Sequence, residues 1–144
     1  MVSLRLPARE RELLDHLATE LEERLDEDLA EPDLRRVFPP AYEDDSGEEA
    51  EYRRLVGADL LDSKRRAIRE FTSTLGHERL SDEELDSWLV VLNDLRLILG
   101  TRLDVDEGSY GRSIDPRDPR APELALYLYL SWLQEQVVEA ASWA

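Results

Sequence analysis

The chain has 144 residues, of which 34 are acidic and 18 basic, giving a net charge of −16, and it contains no cysteine. That length suits one domain spanning 1–144, able to bury a core without disulfides or metals. So negative a surface repels phosphate backbones and anionic leaflets, which argues against direct nucleic-acid or membrane-surface binding, and the missing thiols exclude disulfides, thiolate zinc sites and thiol switching.

Residues 2–6 alternate apolar and polar, the pattern of one short strand. From residue 7 to about 28 the period becomes helical. Leu13, Leu14, Leu17, Leu21 and Leu25 share one face, while Glu12, Asp15, Glu20, Glu22, Glu23 and Asp26 occupy the other. Residues 31–49 form a connector in which Pro32, Pro39 and Pro40 forbid a continuous helix. Phe38 and Tyr42 are expected to pin that loop to the core.

A second helix is expected over 49–75. Val56, Leu60, Ala67, Ile68, Phe71 and Leu75 lie on one wide arc, with Arg65, Arg66 and Arg69 opposite. Gly76 ends it. The third helix, over 81–103, opens on a capping box formed by Ser81 and Glu84. Leu85, Trp88, Leu89, Leu92, Leu95 and Leu99 keep helical spacing, and Val90 and Leu97 fall on the far side among Asp86, Asn93 and Asp94. Apolar groups on both sides need cover on both sides, so this helix belongs at the centre. Gly100 is expected to cap it.

Residues 102–106 alternate and can pair with 2–6, and 107–122 read as an ordered loop rich in Gly, Ser, Asp and Pro. The last helix starts at Pro119 or Pro122 and runs to about Ala141. Its first half, LALYLYLSWL, is apolar nearly all round. A buried strand is the alternative there, but QEQVVEAAS continues with strong helix formers. The expected fold is mainly α: about four main helices in orthogonal or bundle-like packing, with a two-stranded ribbon of 2–6 and 102–106 as an optional addition. No run approaches the roughly 20 apolar residues that span a bilayer, and none resembles a secretory signal. The expected location is the cytoplasm.

Chemistry-bearing motifs are scarce. His16 and His77 lack the partner spacing of a zinc site, and no nucleophile elbow, dinucleotide loop or phosphate loop is present. Asp104 and Asp106 resemble the start of a calcium loop, but Gly108 and Ser109 stand where a ligand and the turn glycine belong. No catalytic residue, cofactor or metal ligand is therefore assigned. Two binding patches are candidates. Val90, Asn93, Asp94 and Leu97 would form a polar-rimmed apolar surface for a partner protein. Arg65, Arg66 and Arg69 would dock an acidic segment, of a partner or of this chain's own acidic helix in a dimer, although a solvated helix face explains such runs more often. Phe38, Trp88 and Trp132 are expected to be structural, as are Arg96 and Arg102, each anchoring an acidic loop through a carboxylate. The alternative is a small-ligand binder or enzyme with a pocket near Asn93, Arg96, Arg102 and the 38–42 loop.

The succession LPARERELL, RRVFPPAY, EYRRL, DSWLVVLNDLRLILGTRL and DPRAPELALYLYLSWLQE resembles an actinobacterial family catalogued as domain of unknown function 2017. The resemblance covers nearly the whole chain, and Asn93, Arg96, Gly100, Thr101 and Arg102 match its signature. The preference for arginine over the single lysine, Lys64, fits a GC-rich actinobacterial genome. The resemblance implies a regulatory or adaptor protein acting through protein–protein contact, since members are commonly encoded beside the Clp protease adaptor. The family is also linked to an oxidative stress regulator that works with a sigma factor. Sigma factor, RNA polymerase and Clp machinery are thus the implied partners, with a homodimer open. A cysteine-free chain departs from any thiol-switch version of that role.

Overall fold

The computed structural model describes residues 2–27, 32–34, 37, 48–103 and 116–142. Among these, four helices carry the architecture: α1 (Ala8–Glu27), α2 (Glu48–Thr74), α3 (Asp82–Leu103) and α4 (Ala121–Ser142). A single turn of 3-10 helix, Pro32–Leu34, follows α1, and two short strands, β1 (Val2–Ser3) and β2 (Arg79–Leu80), complete the set. The mainly α expectation holds. LALYLYLSWL is helix, not strand.

Three of the helices begin where local chemistry dictates. The Pro7 carbonyl accepts the Glu10 and Arg11 N–H groups at 3.0 and 3.1 Å, which starts α1. At α3 the capping box forms in full: Glu84 N–H donates to Ser81 Oγ at 3.2 Å, and Ser81 N–H donates to Glu84 Oε1 at 2.8 Å. That bond to the Ser81 backbone is the main reason the Glu84 carboxyl lies below its ordinary range. At α4, Asp118 Oδ1 accepts the Arg120 N–H at 2.8 Å and the Asp118 carbonyl accepts that of Ala121 at 2.9 Å.

Two expectations need correction. The ribbon exists, but β1 pairs antiparallel with β2, Val2 opposite Leu80 and Ser3 opposite Arg79. Arg102 and Leu103 belong to α3, so they cannot serve as a strand; 104–106 lie outside the described residues. Gly100 does not cap α3 either. It is buried inside the helix, where a Cβ would stand 3.3 Å from Cε2 of Tyr127. The missing side chain lets α4 approach α3 closely.

The core forms around α3, which packs on both α2 and α4. Leu14, Leu21 and Leu25 of α1, Ile68 and Phe71 of α2, Leu85, Trp88, Val91 and Leu92 of α3, and Leu130, Leu133 and Val137 of α4 are all buried. Trp88 meets Phe71 edge-on, with ring centres 4.8 Å apart and planes at 66°. Its indole Nε1–H donates to Thr74 Oγ1 at 2.8 Å, and Thr74 Oγ1–H donates to the Glu70 carbonyl at 2.7 Å. The largest buried side chain among the described residues is thus fixed in orientation as well as in place.

Candidate interaction surface

The residues expected to form a patch on the far side of α3 do not share one exposure. Val90 is exposed and Asn93 and Leu97 are half-buried, whereas Asp94 is only 4% exposed. Asp94 faces α2. Both of its oxygens receive the Lys64 ammonium, Oδ1 at 2.9 Å and Oδ2 at 2.8 Å. Burial pushes the Asp94 carboxyl up, and the Lys64 hydrogen bond and charge oppose that push. The chain's sole lysine is therefore committed to joining α2 and α3.

The arginines of α2 meet an acidic segment, and it is the chain's own first helix, within one molecule. Arg65 donates to Asp26 Oδ1, and Arg69 Nε lies 3.4 Å from Glu22 Oε1. Arg66 is exposed. Sequence spacing could not show this, because the contact joins residues 39 and 47 positions apart.

A third cluster sits at the foot of α1. Arg24 forks onto Asp33, Nη1 to Oδ2 at 2.7 Å and Nη2 to Oδ1 at 2.6 Å, and Arg102 Nε reaches Oδ2 at 2.8 Å. Arg24, more than its own burial, holds the Asp33 carboxyl down to about 2, with Arg102 adding to the effect. Arg102, expected to hold a loop through a bidentate carboxylate bond, makes a single contact to Asp33, whose bidentate partner is Arg24. Arg96 is half-buried. The groove beside this cluster, lined by Leu17, Leu21, Leu95, Ile98 and Leu130, holds about 50 Å³. Ligand sites run to ~300–1,000 Å³. Phe38, Tyr42, the calcium-like stretch at 104–109 and most of the 107–122 loop lie outside the described residues.

One feature escaped the spacing argument. Trp132, expected in the core, is 53% exposed. Leu128, one turn before it, and Val138 are exposed too. Glu135 and Glu139 follow Trp132 at i+3 and i+7 and are exposed, so the apolar surface runs into an acidic one along the same helix. Tyr129 supports the indole from the side, ring centres 6.2 Å apart. Burial, followed by the Glu10 carboxylate, holds the Tyr129 phenol above its ordinary range. The signal was present in the all-round apolar pattern of α4, which gives it more apolar surface than α3 alone can cover.

A family model described as "Domain of unknown function (DUF2017)" matches residues 1–141, and the chain belongs to that family. A protein of Mycobacterium leprae is 29% identical over 127 residues, covering 76% of this chain and 58% of its own. Proteins of Mycobacterium bovis and Mycobacterium tuberculosis, each named oxidative stress regulator AosR, are 30% identical over 125 residues, covering 75% of this chain and 57% of theirs. The chain thus spans little more than half the length of these curated relatives. No solved structure matches it.

Proposed function

We propose that this DUF2017 chain is a non-enzymatic regulatory protein that binds another protein through the outer face of α4. The observation that carries the reading is Trp132, half out of the fold, with exposed Leu128 one turn before it. Tryptophan anchors dominate the energetics of protein interfaces when a partner covers them. Glu135 and Glu139 on the same face, within a chain of net charge −16, favour a partner segment that is apolar and basic. The names of the mycobacterial relatives support regulation as the role. The partner class that fits is a component of transcription or proteolysis, namely a sigma factor, RNA polymerase or Clp protein, met in the cytoplasm. With no cysteine, regulation here does not run through a thiol of this chain.

The test is capture of those purified candidates by the wild-type chain and by Trp132→Asp. One of them should bind the wild type, bind the variant at least about tenfold more weakly, as expected for a hot-spot residue, and lose affinity above ~0.1 M salt, where exposed charges are screened. A partner that binds Trp132→Asp as well as the wild type overturns the assignment of the surface. Salt-independent capture removes the electrostatic part.

A further inference from the structure

α2 runs for 27 residues, yet its two halves are packed very differently. The buried side chains lie in the second half: Ala67, Ile68, Phe71 and Thr74. Among the described side chains from 51 to 66, none is buried, and Leu55, Val56 and Leu60 are exposed although apolar. A helix in a protein draws most of its stability from the packing of one face, and an uncovered stretch shorter than roughly 12–15 residues is marginal in water. Gly57 stands inside this stretch, and glycine weakens a helix interior.

The inward contacts of the uncovered half, among the described residues, gather at its inner end. Leu61 packs against the core, the Lys64 ammonium meets both oxygens of Asp94, and Arg65 donates to Asp26 of α1. α2 and α3 run antiparallel, since Phe71 meets Trp88 and, two turns back along α2, Lys64 meets Asp94. One turn beyond that pair on each helix, Leu61 comes level with Leu97 and Ile98 of α3, an apolar strip that α2 overlies. Asp94 is 4% exposed, so separating the two charges with the helices in place leaves a carboxylate buried without its cation. Lifting the uncovered half away returns both charges to water and gives up few apolar contacts. Partial opening is thus the cheapest way for this pair to part.

We propose that residues 51–63 of α2 form an arm that opens from α3 as a unit while 67–74 stay docked, with Lys64 and Asp94 as its latch. Opening bares Leu97 and Ile98, so the latch governs access to that side of α3. The device is separate from the α4 face and stands or falls without it.

The experiment is amide hydrogen exchange of the full chain at neutral pH in rising, sub-denaturing urea. Amides of 58–63 should exchange at least about tenfold faster than those of 67–74, through an opening that urea barely promotes because it exposes little surface. Lys64→Gln should speed the exchange of 58–63 by about tenfold more, while the Trp88 indole N–H, bonded to Thr74, keeps its chemical shift. Gly57→Ala strengthens the helix without touching the latch and should slow that exchange several-fold. Should Lys64→Gln fail to fold, Asp94→Asn removes the same attraction without stranding a buried carboxylate, and a several-fold rise is then expected. Amides of 58–63 that exchange as slowly as those of 67–74, with the same urea dependence, overturn the proposal. So does unchanged exchange in Lys64→Gln. A Trp88 indole signal that shifts in Lys64→Gln also overturns it, since α2 would then move as one piece.

Discussion

Trp88 and Trp132 sit on neighbouring helices, both rich in apolar residues, and the fold treats them in opposite ways. Trp88 is 1% exposed, edge-on to Phe71 and tethered through its indole N–H. Trp132 is half in solvent. The difference lies in position: α3 is packed against both α2 and α4, and the helix at the edge keeps one face uncovered. A run of apolar residues states how much cover a helix needs, and the neighbours decide how much it receives.

Four substitutions sharpen or break that contrast. Trp88→Ala should be the most damaging, about 3–5 kcal/mol in urea unfolding, the usual range for a buried large aromatic. Lys64→Met comes next, about 3 kcal/mol at neutral pH, because it leaves the buried Asp94 carboxylate without its cation. Asp94 has a raised folded pKa, so its protonated form suits the interior. The Lys64→Met penalty should therefore shrink as pH falls through that pKa, and a penalty that stays constant with pH would contradict the buried-carboxylate account.

Asp33→Asn should cost about 1–3 kcal/mol at neutral pH by leaving two arginines short of an acceptor. Asp33 has the opposite slope to Asp94. Its folded pKa is lowered to about 2, so its contribution is present above the ordinary carboxylate range and lost as pH falls through about 2. Unfolding at stepped pH should show wild type and Asp33→Asn converging in acid. Trp132→Ala should be the mildest, within about 1 kcal/mol, while removing most of the partner affinity. If it destabilises as much as Trp88→Ala, the two tryptophans are equivalent and the α4 face is core.

Much of the fold was legible in the chain. The capping box at Ser81, the leucine face of α1 and the centrality of α3 follow from residue types at fixed spacing, and local rules govern them. What was misread depends on tertiary contact. Gly100 looks like a cap because glycine at a helix end is common, and only the Tyr127 ring on the facing helix reveals why it sits inside. The strand partner of Val2–Ser3 is set by a two-residue register, too short to leave a pattern. Arg65 and Arg69 read as a solvated face or as a dock for an acidic segment of a partner or of a second copy, and the carboxylates they meet are those of α1 in the same molecule. The α4 face was hidden for a similar reason: periodicity cannot distinguish an apolar residue that has a neighbour from one that lacks it.

The pairing of Lys64 with Asp94 has a practical corollary. Lys64 is the sole side-chain primary amine of the sequence, and its side chain is 16% exposed within the α2–α3 seam. Lysine-directed acylation, by reagents or by enzymes that tag lysines, therefore meets a chain whose one lysine is sheltered by its own counter-ion. The rate at which Lys64 becomes acylated would time the parting of those two rods, making the molecule a self-contained reporter of its own breathing.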